Sequence, residues 1–384
     1  MPGPEKLAGL VEEIASEVLQ LRHLLHRHPE PAHREYRTTE LIRHFVESRG
    51  LEFNGRQPNT GGWVDTRAHP RVAFRADIDA LPIHEPSENT PRSENEGWMH
   101  ACGHDAHAAI AAGVALVLAG LDIEPGFRII FQPAEEAFPG GAIDLVGEGL
   151  VDGLSALLAF HVDPTLVVGR MGARVGPITA GADAMTIVIH GPGGHTSRPH
   201  KTVDLIAAAG RVAAELPGAL RDSIDARTAV VTAFGSIQGG NAANVIPTEV
   251  VLKGTVRTLD PSLWDVLPSL VDKTLGSILA VSGAGYTLDY QHGIAPVVND
   301  ATVLAHATRA IQSELGEETV VETETSMGGE DFSSYLTVTR GALLRLGAAS
   351  GGGDLHSAAF HFNDDALPFA IHAAVTALLG LTRS

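Results

Sequence analysis

Cysteine is almost missing from this chain. A single residue, Cys102, stands among 384, so no disulfide can form within it. Basic residues are scarce as well: 27 lysines and arginines face 46 acidic side chains, a formal net charge of −19. No basic run occurs, so a phosphate backbone would be repelled rather than gripped, and nucleic acid is not an expected partner. Long apolar runs are lacking too. The most apolar stretches, AAIAAGVALVLAGL and FAIHAAVTALLGL, fall short of the roughly 18 to 20 residues that a bilayer span requires, and read as buried core helices. The opening residues, MPGPEKLAGLVEEIASEVLQL, form an acidic amphipathic pattern without the basic start and apolar core of a signal peptide. The expectation is a cytoplasmic protein with no membrane partner. Neither a solenoid-type repeat nor a low-complexity tract interrupts the chain.

What is present is ordinary for a folded protein: 44% hydrophobic and 19% charged residues, over a length that accommodates two domains of roughly 100 to 200 residues each. Leu7, Leu10, Val11, Ile14, Val18, Leu21 and Leu25 recur at helical spacing until Pro29 stops them. A second helical pattern covers 37–49. Then β-rich runs (RVAFRAD, FRIIFQPAE, SALLAFHV) alternate with helices starting near Asp105 and Gly141, the signature of a mostly parallel sheet with helices on both faces. From about Gly176 the texture changes to ADAMTIVIHG, a helix near 203–216, TAVVTAFGSIQGG, EVVLKGTVRTL and a helix near 261–281. This predicts an α/β domain made of 1–176 and 292–384, interrupted by a smaller α+β domain over 177–291.

In a parallel sheet, ligands bind beyond the carboxyl ends of the strands. Those ends deliver Asp77 and Asp79 from VAFRADIDA, Glu135 and Glu136 from IIFQPAEE, His161 from LLAFHV, and His356 after the glycine loop of LLRLGAASGGGDLH. Cys102 and His104 stand just before the helix near Asp105. Singly, each reads as a solvated or structural side chain. Together they offer sulfur, nitrogen and oxygen donors suited to Zn²⁺ or a similar ion, in a number that exceeds one four-coordinate site. Two ions would clamp a water and polarise a carbonyl, which implies a hydrolase. Of the adjacent glutamates, one would bind metal and the other move protons; residue types alone do not say which. Two other readings stand beside this one. Cys102 with a nearby histidine could act as a nucleophile, or the cluster could belong to a metal-binding protein without catalysis.

The stretches LRHLLHRHPEPAHREYRTTE, FRADIDALPI, MHACGHDAHAA, FQPAEEAFPGGA, FHV, GGHTSRPHKTVD, NVIPTEVVLKGTVR, MGGEDFSSY and LHSAAFHFND, in this order and spacing, resemble the aminoacylase and hippurate hydrolase family of two-metal amidohydrolases, in particular its N-acyl-amino-acid and auxin-conjugate branch. The resemblance implies a catalytic domain with an inserted lid or dimerisation domain, a possible homodimer through that insertion, and a small N-acyl-amino-acid substrate. It implies metal ligands Cys102, His104, Glu136, His161 and His356 for two divalent ions, Zn²⁺ or Mn²⁺, with Cys102 bridging and Glu135 as general acid/base. Asp77 and Asp79 would orient ligands from behind. His195 would stabilise the oxyanion, and Asn244 and Arg257 would face the substrate. His361 lies where the family usually carries an aspartate, and Glu330 and Asp331 would support the site. A carboxypeptidase or dipeptidase on the same scaffold is the nearest alternative.

Overall fold

The strand Val72–Asp77 is buried at every position, as the run VAFRAD predicts for a strand covered on both faces. It belongs to a computed structural model that describes residues 4–121 and 123–382. Phe127–Gln132 pairs parallel with it on one side and Ala156–Asp163 on the other. Gly341–Gly347 extends the parallel ladder beyond Ala156–Asp163. Four flanking strands complete an eight-stranded, mostly parallel sheet: Asn54–Gly55 and Gly62–Asp65 at one edge, Met171–Ala173 and Val320–Glu322 at the other. The chain leaves Val72–Asp77 in one direction through the helix His104–Leu121, then crosses back over it through the helix Gly141–Gly147. The right-handed rule for such crossovers assigns these two helices to opposite faces.

His104–Leu121 begins one residue earlier than the sequence pattern indicates, so His104 is its first residue. At 18 residues it is long and apolar enough to cross a membrane by length and composition, yet 83% of it is buried inside the fold. Its alanines and Gly113 permit close packing. A Cβ on Gly113 would come within 2.6 Å of Ile371 Cδ1 and 3.2 Å of Val18 Cγ2, side chains of the helices Ala366–Leu381 and Pro4–Arg27.

The chain divides into two compact units. The first comprises the residues up to Gly176, Val298–Glu324, and Asp331 onward, and holds the eight-stranded sheet. The second comprises Pro177–Val297 with Thr325–Glu330. In it an antiparallel sheet runs Val230–Gln238, Glu249–Thr258, Gly181–His190, Gly285–Ile294, and the helices Leu205–Asp222 and Pro261–Leu279 share a core with Ile187, Ile189 and Leu252. Gly181–His190 buries alternate residues, as a half-covered strand must. Asp260 caps the second helix through Ser262 N and Leu263 N, with Pro261 in its first turn, the arrangement favoured at a helix start.

Candidate metal centre

Five potential donors converge at the carboxyl edge of the parallel strands in the first unit. Cys102 lies in the turn entering His104–Leu121. That turn needs Gly103, whose φ is +81° and whose Cβ would stand 2.6 Å from Val162 Cγ2; glycine alone accepts both conditions without strain. Beyond Phe127–Gln132 the chain turns through Ala134, at φ +57°, and presents Glu135 and Glu136. His161 belongs to the last residues of Ala156–Asp163. His356, at φ +59°, is reached by the loop that leaves Gly341–Gly347, and its amide donates to Ala101 O at 2.9 Å. Non-glycine residues at positive φ are uncommon and cluster at functional sites.

Cys102, His104 and His161 bring one donor atom each to within 4.8 Å of one another, and Cys102, Glu136 and His356 do the same. Cys102 Sγ is 3.4 Å from His161 Nε2, and His356 Nε2 is 3.0 Å from Glu136 Oε1. Glu135 groups with His104 and Glu136. The Cys102 sulfur is thus common to two three-donor groups, the arrangement expected of a ligand shared between two cations.

Contacts behind the cluster set which ring nitrogen faces it. His104 Nδ1 donates to Asp79 O at 3.0 Å and Oδ1 at 3.2 Å, leaving Nε2 directed inward, buried and with no hydrogen-bond partner among the described residues. A buried orphan of this kind asks for an ion or a water. His161 Nδ1 donates to Val162 O at 2.8 Å, again leaving Nε2 for the cluster. Burial, with the Arg345 charge nearby, holds His161 well below its usual range, so its imidazole is neutral with a lone pair to offer. Burial pushes the Cys102 thiol up, against the pull of His104 and His356. Hydrogen bonding to Cys102 and Glu136 lifts His356 to about 10. A cation entering here must therefore displace protons. The donor set, the inward nitrogens and the orphaned Nε2 all fit divalent metal.

Asp79 does more than orient His104. Its Oδ1 and Oδ2 accept the amides of Glu135 and Glu136, at 3.1 and 3.0 Å. Asp77 takes a different route. Its Oδ1 accepts from His107 Nδ1 at 2.6 Å, and His107 Nε2 accepts the Val162 amide at 3.0 Å, beside His161. With both nitrogens engaged, His107 is a brace between two strand ends rather than a donor to metal, although it lies near Asp77 and His104. Arg75 holds Asp77 at 2.6 Å and Asp331 at 2.8 Å, and Gln132 bonds both Arg75 and Asp331. His107→Leu would strip partners from Asp77 and the Val162 amide. It is expected to destabilise the metal-free protein by about 2 kcal/mol in denaturant unfolding and to weaken metal binding roughly 10- to 100-fold by titration calorimetry.

His361 belongs to none of the donor groups found among the described residues; its exposed side chain leaves His356 as the histidine of this loop that meets Glu136. His195, Asn244 and Arg257 lie in the second unit. There His195 pairs across a short ladder with Val245, next to Asn244, and Thr196 N donates to Asn244 O at 3.2 Å. Both side chains are exposed. Arg257 is half-buried and donates to Met327 O at 2.7 Å. Sequence reasoning gave no role to Glu35, Arg75 or Gln132. A carboxylate at a helix start, a histidine on an apolar helix and polar residues within strands carry no local sign of the partners they meet.

The family model for peptidase family M20/M25/M40 matches residues 73–380. A putative glutamate–cysteine ligase 2-3 of Rhodococcus jostii (strain RHA1) is 40% identical over 95% of this chain, which spans only 46% of that protein. The N-acetylcysteine deacetylase of Bacillus subtilis (strain 168) is 35% identical, covering 92% of this chain and 93% of its own. Among solved structures, the Bacillus subtilis YXEP protein, described as a dinuclear metal-binding peptidase of the M20 family, superposes with a TM-score of 0.85 at 32% identity, covering 97% of this chain and 99% of its own.

Proposed function

Since the chain belongs to peptidase family M20/M25/M40 and is of its aminoacylase or amidohydrolase type, we propose that it hydrolyses the amide of N-acyl-amino acids, releasing a carboxylate and a free amino acid. The observation that carries this reading is the sharing of Cys102 between two donor groups with Glu135 alongside. Cys102, His104, Glu136, His161 and His356 would hold two divalent ions, Zn²⁺ or Mn²⁺. Such ions supply Lewis acidity toward water and the acyl oxygen. Glu135 takes a proton from the attacking water and delivers it to the leaving nitrogen as the C–N bond breaks. In this proposal His195 donates to the developing oxyanion, Asn244 contacts the substrate, and Arg257 pairs with its carboxylate.

The cysteine-nucleophile reading fares worse. A reactive thiol needs a lowered pKa and access, whereas Cys102 is buried and its pKa is raised. Metal-stripped protein reloaded with Zn²⁺ or Mn²⁺ and offered N-acetyl and N-benzoyl amino acids, N-acetylcysteine among them, beside unblocked dipeptides is the deciding experiment. Turnover of the blocked substrates is expected; cleavage of dipeptides alone would move the assignment to a carboxypeptidase or dipeptidase. A homodimer through the second unit is also proposed, and sedimentation equilibrium checks it.

A further inference from the structure

Glu35 stands at the residue before the helix Tyr36–Glu47, where a carboxylate ordinarily caps the first turn. Its side chain makes no such cap. It is fully buried instead, and its two oxygens reach three donors. Oε1 accepts the amides of His33 at 3.0 Å and Ala134 at 2.8 Å, and Oε2 accepts the Thr60 hydroxyl at 2.6 Å. Both amides belong to non-glycine residues in the left-handed region, His33 at φ +62° and Ala134 at φ +57°. That conformation costs an L-residue roughly 1–2 kcal/mol, so it persists only where neighbours impose it.

Ala134 immediately precedes the two glutamates of the candidate site. The amides of Ala134, Glu135 and Glu136 are therefore held in succession, the first by Glu35 and the next two by Asp79. On the other side of the turn, Gly141 N donates to Ala134 O at 2.9 Å. Burial pushes Glu35 up to about 7, its Thr60 bond pulls the other way, and the charge of Asp79 adds to the rise. A carboxylate kept in so unfavourable a place is there for the donors it meets.

We propose that Glu35 is a positioning residue: by accepting the Ala134 amide it holds the left-handed turn that aims Glu135 and Glu136. The catalytic part of this inference rests on the reading of Glu135 as the proton carrier.

The test uses metal-loaded enzyme and an N-acyl-amino acid that the wild type turns over. Glu35→Ala is expected to bind metal at the wild-type stoichiometry and keep KM within about threefold, while kcat falls on the order of 100-fold, the scale of a misplacement near 1 Å. Glu35→Gln, which still offers an acceptor to both amides, should restore kcat to within about fivefold. Ala134→Gly added to Glu35→Ala should recover at least about tenfold, since glycine takes positive φ without a clamp. Restoration of fold stability alone gives no such recovery. Should Glu35→Ala not fold, Glu35→Asp keeps the buried carboxyl group but shortens the reach, and should show the same loss and the same rescue. Hydrogen exchange at the amides of 134–136 reports on the turn directly and should accelerate in either loss variant. Unchanged kcat and unchanged exchange in Glu35→Asp, or a Glu35→Gln as slow as Glu35→Ala, would overturn the proposal. Activity surviving in Glu135→Gln would instead remove the proton-carrier reading, leaving the exchange measurement to decide on Glu35.

Discussion

Glu135→Gln is expected to fold, to bind metal as the wild type does, and to lose a factor of roughly 10² to 10⁴ in kcat, the usual worth of a positioned acid–base group. The substitution is isosteric, and the backbone that carries it is held independently of the side chain, because the Glu135 amide is bonded to Asp79. The amide of glutamine cannot take a proton from water at neutral pH, so binding survives and proton transfer does not. KM should move by no more than a few-fold. Glu136→Gln supplies the contrast. Glu136 groups with Cys102 and His356, so its loss should appear first as reduced metal content and respond to added metal, which Glu135→Gln should not. Steady-state kinetics with metal analysis on both variants separates two adjacent residues that composition cannot. Wild-type-like kcat in Glu135→Gln would assign the proton to another group.

Much of this site is legible in the sequence because the strand-forming runs end on the donors. Val72–Asp77, Phe127–Gln132 and Ala156–Asp163 are hydrophobic enough to be read as buried strands, and a parallel sheet places their carboxyl ends at one edge. What cannot be read is everything set by contact between distant segments. Glu35 looks like a helix cap until Ala134, 99 residues away, is found on its carboxylate. Nothing in the segment around His107 says that Asp77 and the Val162 amide take its two nitrogens. The left-handed turns at Ala134 and His356 carry no glycine to announce them. Likewise, Thr325–Glu330 clusters with the second unit while the residues on either side cluster with the first; this short excursion has no periodicity to betray it. Helix and strand existence follow from local pattern, whereas these features follow from tertiary contact alone.

Removing the Cys102 sulfur should be the most damaging single change. Sγ is the donor common to both Cys102 groups, so on the proposed ligand set Cys102→Ala would take a ligand from both ions at once. The lost anion would also be the charge that offsets the repulsion between two cations held close together in a buried site. Cys102→Ala is therefore expected to lose the tight binding of a metal pair in titration calorimetry, by well over the roughly 10- to 100-fold typical of outer contacts, and to lose turnover with it. Cys102→Asp, which returns a bridging anion, should regain part of both. The proton balance gives a second readout. With the thiol pushed up by burial, His104 held well above its usual range against burial by the Asp77 charge, and His356 lifted to about 10, wild-type metal uptake near neutral pH releases protons, so affinity climbs with pH. In Cys102→Ala the thiol proton is gone and His356 loses the Cys102 bond that raises it, so the slope should become shallower. Chelation should likewise silence the wild type, and added Zn²⁺ or Mn²⁺ should revive it. A Cys102→Ala protein with unchanged affinity and slope would show that the thiol is no ligand, and wild-type activity that persists under chelator would return it to the role of nucleophile.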